Sequence, residues 1–346
     1  MENIKDFKFL PVKGYQSLVK GLVKDLKVYG TIEKDGFPAF GEITSLEELV
    51  LSSTPTHLSA KEFFFPQREV LLRFNMKTSA FSPVIESIDQ AIIGMHPCDI
   101  RALALMDRVF AAGTPDPNYL SRRSRTLIIG GDCVPDDYCF CKSLGNSEVE
   151  SGFDIFLHAI GKGFLVRTGS EKGRAVLAQY AKVREPSLKE FREFQSLRAK
   201  RDSSFKARLD APPTELPAIY AKSDESKVWG KIGAICTGCG SCNNVCPTCY
   251  CFDVKDEVKA NLVEGERVRT WDGCTLEDFA KVAGGHNFRK TRAERLRHRF
   301  NRKFRYLSST FDMLFCVGCG RCSRACLVKI NIAEVTNELI SECHNK

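Results

Sequence analysis

Hydrophobic and polar positions in the first half of the chain alternate between helical and strand-like patterns. Apolar residues recur every three or four positions in residues 18–26 (LVKGLVKDL), which predicts an amphipathic helix. Short apolar runs rich in β-branched residues predict strands at 69–74, 91–95, 126–130, 153–160 and 163–167. This mixture predicts an α+β or α/β N-terminal domain.

The pattern changes in the middle of the chain. Residues 184–230 are charged and contain several prolines, and Ser187 and Glu190 have the spacing of a capping box, so we predict a helix followed by a linker. Beyond Trp229, cysteine motifs alternate with helix-like stretches and little resembles a strand. We predict two domains: residues 1–225 include the linker, and residues 226–346 form a mainly helical dicluster ferredoxin-type domain.

The composition narrows the class of protein. The 346 residues include 16 cysteines. This fraction of about 4.6% is well below the roughly 8–10% of cysteine that is typical of small disulfide scaffolds. The N-terminus lacks the apolar stretch of a signal peptide, and no apolar run approaches the ~18 residues of a membrane span. We therefore expect a cytoplasmic protein without an integral membrane segment, whose cysteines bind metal or carry out redox chemistry.

Two cysteine runs with ferredoxin spacing are the most specific motifs. Both read C-x2-C-x2-C-x3-C, and in two-cluster ferredoxins the fourth cysteine of each run ligates the other cluster. The second run is followed by Leu327 where proline is usual. The predicted ligands of one [4Fe–4S] cluster are Cys236, Cys239, Cys242 and Cys326, and those of the other are Cys316, Cys319, Cys322 and Cys246. Zinc is the alternative, although structural zinc sites usually pair two short knuckles.

Four further cysteines lie in the N-terminal half. Cys98 follows the predicted strand 91–95 and precedes a helix that Asp99 would cap. Cys133 follows the strand 126–130, and Cys139 and Cys141 come soon after it. Because ligands gather at the carboxyl ends of strands in α/β sheets, these four predict a third [4Fe–4S] site. Buried free thiols are the alternative.

The remaining cysteines have no complete motif. Cys249, Cys251 and Cys274 would hold a fourth cluster with a non-cysteine ligand, or serve as spare ligands near the first run. His286 is a candidate for that ligand, against the simpler interpretation of a hydrogen-bonded structural histidine. Cys343 lies in a polar tail and is interpreted as a bystander thiol.

The positive charge is concentrated in one segment. Residues 289–305 contain nine Lys or Arg and one Glu, a net charge of +8 that equals the net charge of the whole chain. An apolar face at Leu296, Phe300, Phe304 and Leu307 predicts an amphipathic helix. Its basic residues are interpreted as a solvated face, as a surface for an acidic partner, or as charge that raises cluster potentials. No nucleic-acid module accompanies them, so nucleic acid is not an expected partner.

Several cofactor and catalytic signatures are absent from the sequence. It contains no G-x-G-x-x-G after a strand, no P-loop, no H-E-x-x-H and no G-x-S-x-G. The chain therefore has candidate electron carriers but no recognisable dinucleotide site or catalytic residues, which predicts that it depends on partner subunits.

Six motifs in the same order resemble a known family. MHPCDI, PDDYCFC, CTGCGSCNNVCPTCYC, RTWDGC, VAGGHNFR and CVGCGRC, within residues 60–335, are similar to motifs of the iron–sulfur beta subunits of cytosolic sulfhydrogenases and of the related iron–sulfur subunits of anaerobic sulfite reductases. The segment KEFFFPQREVLLRF is closer to the sulfhydrogenase branch. The resemblance places the four N-terminal cysteines, and Cys249, Cys251 and Cys274, among the family-motif cysteines without assigning ligands.

The resemblance also implies a function. Such a subunit carries several [4Fe–4S] clusters and relays electrons between a flavin subunit that handles NAD(P)H and a separate catalytic subunit. We expect a non-catalytic electron-transfer subunit of an anaerobic oxidoreductase complex of hydrogenase, sulfur or sulfite reductase, or heterodisulfide reductase type. The alternatives are that the chain itself reduces sulfite or sulfur, or that it is a zinc-stabilised interaction protein.

Overall fold

The strands lie mainly in the first half of the chain. The computed structural model describes residues 3–50 and 54–345. Its strands are β1 (Lys8–Pro11), β2 (Lys27–Lys34), β3 (Phe37–Glu42), β4 (Arg68–Asn75), β5 (Ala80–Pro83), β6 (Gln90–Met95), β7 (Thr126–Gly131), β8 (Ile155–Ile160), β9 (Gly163–Thr168), β10 (Phe252–Val258) and β11 (Glu264–Trp271).

The helices are distributed along the whole chain. They are α1 (Val12–Asp25), α2 (Pro97–Ala111), α3 (Pro117–Arg125), α4 (Glu171–Tyr180), α5 (Leu188–Ser203), α6 (Leu216–Ala221), α7 (Lys227–Ile235), α8 (Ser241–Asn244), α9 (Arg292–Asn301), α10 (Ser308–Phe311), α11 (Arg321–Arg324) and α12 (Ile332–His344). Among the described residues, no helix is both long and apolar enough to cross a membrane.

A seven-stranded sheet organises the N-terminal half. Its strand order is β1-β9-β8-β7-β6-β2-β3, with parallel pairing from β2 through β6 and β7 to β8 and antiparallel pairing at both edges. All five predicted strands are present, four of them in this sheet and one as β4. The pattern does not predict β1–β3, because these strands are short or interrupted by Gly, Pro and charged residues.

Helices cover both faces of this sheet. On one face, Ala91 and Ile93 of β6 pack with residues of α1 and α4, including Leu18 and Leu177. On the other, Ile92 packs with residues of α2 and α3. Because successive strand residues point to opposite faces, the continuous apolar runs of β6 and β7 supply both cores. The N-terminal half is therefore a three-layer α/β arrangement.

A smaller antiparallel sheet joins the two halves of the chain. Its order is β10-β11-β4-β5, so two strands come from each side of the predicted boundary at 225/226. The expectation that the chain beyond Trp229 has little strand is therefore wrong. Strand β10 has the sequence FDVKDEV and is almost entirely exposed, so it lacks the apolar run by which strands are recognised in a sequence. It forms a strand because it pairs with β11. The division into two domains stays a prediction.

The rest of the C-terminal half is a cluster of helices. Trp229 of α7, Phe300 of α9, Phe304 after it and Leu339 of α12 share one core. The capping box of Ser187 and Glu190 is confirmed at the start of α5. Helix α6 lies within the segment predicted as a linker, so that segment is partly ordered by packing onto the same core.

Buried ion pairs attach the small sheet to the N-terminal half. Glu69 of β4 accepts hydrogen bonds from Arg269 of β11 (Nη2 to Oε1, 2.5 Å) and from Arg122 of α3 (Nη1 to Oε2, 2.7 Å). Arg269 also pairs with Asp116. Only 3% of the Glu69 side chain is exposed, so its charge depends on these partners.

We expect Glu69→Ala to lower the free energy of unfolding by about 3–5 kcal/mol, because it leaves two buried guanidinium groups short of a counter-charge. Glu266→Ala is the matched control on the same sheet. It removes only the pair with the exposed Arg73, which is worth below about 1 kcal/mol. Anaerobic urea unfolding followed by circular dichroism measures both, and equal losses would contradict the role of Glu69.

Candidate iron–sulfur centres

Each ferredoxin-type run folds as a tight loop that leads into a four-residue helix. In the first loop Gly238 and Gly240 have φ of +72° and +77°, and in the second Gly318 and Gly320 have φ of +74° and +70°. Glycine adopts this left-handed region without steric cost. The loops lead into α8 and α11, which pack against each other, so the two runs lie side by side.

The first loop lines a cavity together with the last cysteine of the second run. Cys236, Cys239, Cys242 and Cys326 all line it. Backbone N–H groups donate to two of these sulfurs, from Gly238 to Cys236 Sγ at 3.4 Å and from Ile330 to Cys326 Sγ at 3.3 Å. These four cysteines are the set that the ferredoxin spacing predicts for one cluster.

A second cavity adjoins the first. It is lined by Cys246, Cys316, Cys319 and Cys322, the other predicted set. Arg299 and Cys322 line both cavities, so the two are direct neighbours. The structure thus brings together both predicted groups of four, while ligation itself stays a prediction.

The four N-terminal cysteines also lie together. Strands β6 and β7 are adjacent and parallel, and Cys98 and Cys133 follow their carboxyl ends. Cys141 is close enough to Cys98 and Cys133 to interact electrostatically with both, and Cys139 interacts with Cys141. Burial raises the pKa of the Cys133 thiol to about 11 and that of the other three further. These thiols are therefore protonated at neutral pH unless a metal displaces the proton.

This N-terminal group contacts the second loop. Phe140 N–H donates to Gly318 O at 2.8 Å, and Cys139 Sγ donates to Cys319 O at 3.7 Å. A Cβ on Gly318 would lie 2.5 Å from Cys141 Cα, and one on Gly320 would lie 2.5 Å from Tyr138 O. Both positions therefore need glycine for the close approach as well as for the positive φ.

Asp99 joins the N-terminal cysteine group to the second ferredoxin loop through an ion pair. The prediction that Asp99 caps α2 is wrong. The cap position is His96, and Asp99 lies in the first turn. Its carboxylate accepts two hydrogen bonds from Arg321, at 2.7 Å and 2.8 Å, and Arg321 Nε also donates to Thr56 O. Both side chains are buried. Asp99 follows Cys98 and Arg321 lies between Cys319 and Cys322, so this bidentate pair connects the N-terminal group to the second loop.

Cys249, Cys251 and Cys274 form a further group beside the second cavity, and Cys249 neighbours Cys246, which lines that cavity. Asn243 Nδ2 donates to Cys274 Sγ at 3.4 Å and approaches Cys249 Sγ at 3.8 Å, and the thiols of Cys251 and Cys274 are neighbours that shift each other's pKa. His286 lies in an exposed loop and packs edge-on against Phe288, whereas Cys249 and Cys274 are buried. Cys343 is partly buried at the edge of the C-terminal core.

Four buried cations surround the cysteine cavities. Lys61, Arg295, Arg299 and Lys303 are each at most 5% exposed, and within the described ranges none has a carboxylate at ion-pair distance. The last three recur every fourth residue along α9 and the single π-helical turn Arg302–Tyr306 that extends it, so they form one stripe. The helix therefore begins at Arg292 and not at residue 289, continues to Tyr306, and buries part of its basic face.

These cations face cysteines and backbone oxygens. Arg299 donates to Cys249 Sγ at 3.4 Å and to Cys242 O at 2.8 Å. Lys303 donates to Thr248 Oγ1, and Lys61 to Cys249 O. Burial lowers the pKa of Lys61 to about 8 against the opposing influence of nearby cysteines. For Lys303, burial would lower the pKa, but Cys246 and Cys249 hold it above its usual value.

The cavities fit negatively charged groups. A buried, unpaired charge costs several kcal/mol, so four such cations require negative charge that the described carboxylates do not provide. Thiolates holding an iron–sulfur cluster provide it. In the described part of the chain, no three His, Cys, Asp or Glu side chains converge closely enough to enclose a single metal ion; the cysteines line cavity walls instead.

Comparison with known proteins identifies the family. Residues 235–330 match the family of 4Fe-4S dicluster domains. Over 320 residues the chain is 39% identical to sulfhydrogenase 2 subunit beta of Pyrococcus furiosus, covering 90% of this chain and 92% of the relative. The chain belongs to the sulfhydrogenase beta subunit family. No solved structure matches it. The predicted family is confirmed: this member is an iron–sulfur electron-transfer subunit that carries [4Fe–4S] clusters.

Charge near the clusters is one interpretation of the basic segment 289–305, but the sequence does not single out the buried residues that surround the cysteines. A spacing of four residues places Arg295, Arg299 and Lys303 on one face of a helix. That spacing is the signal that could have distinguished these three residues from the exposed arginines of the same segment. Lys61 and Arg321 carry no such signal, because only the tertiary contacts reveal that a single lysine or arginine is buried.

We expect Gly318→Ala to lower the iron content by about four atoms per chain or more, the content of at least one cluster, because its Cβ would displace Cys141. Gly284→Ala is the matched control, since Gly284 has a similar positive φ but nothing within 4 Å of the added Cβ. Iron and acid-labile sulfide analysis of anaerobically purified variants measures the effect. An unchanged iron content in Gly318→Ala would contradict the contact between the two sites.

Proposed function

We propose that this chain is a cytoplasmic subunit of an anaerobic redox complex that relays electrons between a flavin partner handling NAD(P)H and a separate catalytic subunit. The catalytic partner is of hydrogenase, sulfur or sulfite reductase, or heterodisulfide reductase type. The observation that carries the proposal is a continuous row of cysteine sites. The N-terminal group contacts the second ferredoxin loop, whose cavity shares Arg299 and Cys322 with the first.

Three [4Fe–4S] clusters are assigned to this row. The first is held by Cys236, Cys239, Cys242 and Cys326, the second by Cys246, Cys316, Cys319 and Cys322, and the third by Cys98, Cys133, Cys139 and Cys141. Cys249, Cys251 and Cys274 are the candidate ligands of a fourth site. The assignment is supported by the cavity that each of the first two sets lines and by the mutual proximity of the four N-terminal cysteines.

Residues around the cysteine sites influence the redox potentials of the clusters and their access to water. When bound, [4Fe–4S] clusters accept and release single electrons. Arg299 lines both cavities and Lys303 lines the second, so they place positive charge beside these sites, which stabilises the more negative, reduced state. Backbone N–H groups of Gly238 and Ile330 donate to cysteine sulfurs and act in the same direction. Burial of Cys98, Cys139 and Cys141 keeps water from the third site.

The dependence on partners follows from the chain's own residues. The sequence contains no glycine-rich dinucleotide fingerprint, so we assign the handling of NAD(P)H to a flavin partner. The relative from Pyrococcus furiosus is itself named as a subunit, which supports a role within a larger complex.

We expect about twelve irons and twelve sulfides per chain in anaerobically purified protein, corresponding to three clusters. Cys319→Ser and Cys139→Ser should each remove about four irons and one reduced-state EPR signal. Cys343→Ser, near the end of α12, is the control because Cys343 belongs to none of the assigned sites, and it should leave both unchanged. About eight irons in the unaltered chain would reject the third cluster, and about four or fewer would reject the relay.

We expect Lys303→Met to lower the midpoint potential of the second site by an amount on the order of 100 mV, since loss of a buried positive charge destabilises the reduced state. Lys227→Met is the control, because Lys227 is an exposed lysine on α7. EPR-monitored redox titration measures both potentials. A shift of similar size in the two variants, or no shift in Lys303→Met, would contradict this role.

A further inference from the structure

The first cysteine site lies at one end of the row and opens at the molecular surface. Among the twelve cysteines assigned to clusters, Cys239 is the exposed one, whereas the others are buried or partly buried. The N-terminal site at the other end is entirely buried. An electron that passes to or from another protein therefore has its shortest route through the surface around Cys239.

Apolar side chains are exposed beside this opening. Ile235 precedes Cys236 and is 52% exposed, and Leu327 follows Cys326 and is 72% exposed. Both neighbouring cysteines line the first cavity. Leu327 stands where the ferredoxin motif usually has proline, and its side chain projects apolar area into solvent that a bound partner would cover.

Basic residues lie around these apolar side chains. Lys329 lies between the cavity-lining residues Val328 and Ile330. On the other side, Lys290 O accepts from Arg295 Nη1 at 2.8 Å, and the Arg295 guanidinium approaches Gly238. Lys290 and Lys329 are exposed, and among the described residues neither has a carboxylate at ion-pair distance.

Lys290, Lys329 and Arg292 outnumber Glu294 at this rim, so its net charge stays positive. Glu294 is engaged in the capping box of α9, where it accepts from the backbone and hydroxyl of Thr291. Arg292 adds a further cation and donates to Cys236 O at 2.8 Å. The surface around Cys239 is therefore apolar at its centre and positive at its rim.

We propose that this surface, defined by Ile235, Cys239, Lys290, Leu327 and Lys329, is the docking surface for the acidic face of an electron-carrier protein. The inference rests on the proposed function. Charge complementarity steers the encounter, and the apolar residues exclude water at the contact. One electron passes between the carrier's redox centre and the first site, so that one is oxidised and the other reduced by one electron, without a proton or a covalent bond.

The test uses the full chain with its clusters and a small, strongly acidic flavodoxin as the probe. The double variant Lys290→Glu/Lys329→Glu reverses the rim charge but leaves Arg292 and its contact with Cys236 intact. The matched control, Lys13→Glu/Lys24→Glu, makes the same change in net charge on exposed positions of α1. The dissociation constant is measured by anaerobic fluorescence titration, and the electron-transfer rate by stopped-flow absorbance.

At low salt we expect the rim variant to bind the flavodoxin about tenfold more weakly or worse and to accept electrons correspondingly more slowly. The control should bind within about twofold of the unaltered chain, and added salt should weaken the unaltered chain toward the rim variant. Equal losses in both double variants, no loss in the rim variant, or no binding by the unaltered chain would each overturn the docking surface.

A second pair of variants tests the apolar centre. Leu327→Ser should weaken binding severalfold, because contact area at the centre of an interface contributes most to affinity. Leu262→Ser, at a 77% exposed position in the β10–β11 turn, should not. Reduction by dithionite tests the proposed function independently of the docking surface. A chain that dithionite cannot reduce contradicts the proposed function, whereas the measured dissociation constants test only the docking surface.

Discussion

Positive charge buried between cysteines is the constraint on which the C-terminal half depends. Arg295, Arg299 and Lys303 enter the interior from one helix, and Lys61 enters from the N-terminal half. Charges at this depth are tolerated only beside opposite charge. Thiolates holding clusters at these sites would meet that requirement, and the cations would in turn stabilise the reduced clusters. Folding, cluster binding and redox potential would then be coupled through the same side chains.

The second ferredoxin loop is the point where the two halves of the chain meet. Gly318 and Gly320 allow it to approach the Tyr138–Cys141 segment, and Arg321 pairs with Asp99 beneath it. The small sheet makes a second connection, through the charge network around Glu69. A dicluster domain alone would lack these contacts, so the N-terminal α/β layer serves the sites directly.

The arrangement of the sites suits a protein that passes electrons along a line. The second site adjoins both others, so it occupies the middle of the row. The two ends differ physically, since the Cys239 end is exposed and the Cys98 end is enclosed by side chains of α2 and of the second ferredoxin loop. Such a row separates an exposed end, where we place the docking surface, from an end that is buried in the protein interior.

The amino-acid sequence by itself determined the features that depend on local spacing. The two ferredoxin runs and five strands follow from residues near one another in the chain, and the order of six short motifs identifies the family. The exchange of Cys246 and Cys326 between the two sites stays a prediction from the same spacing. Tertiary structure alone decided the role of Asp99, the burial of Lys61 and the strand β10. The physical reason is that burial and pairing across more than 180 residues, as between Lys61 and Cys249, depend on packing that no local pattern encodes.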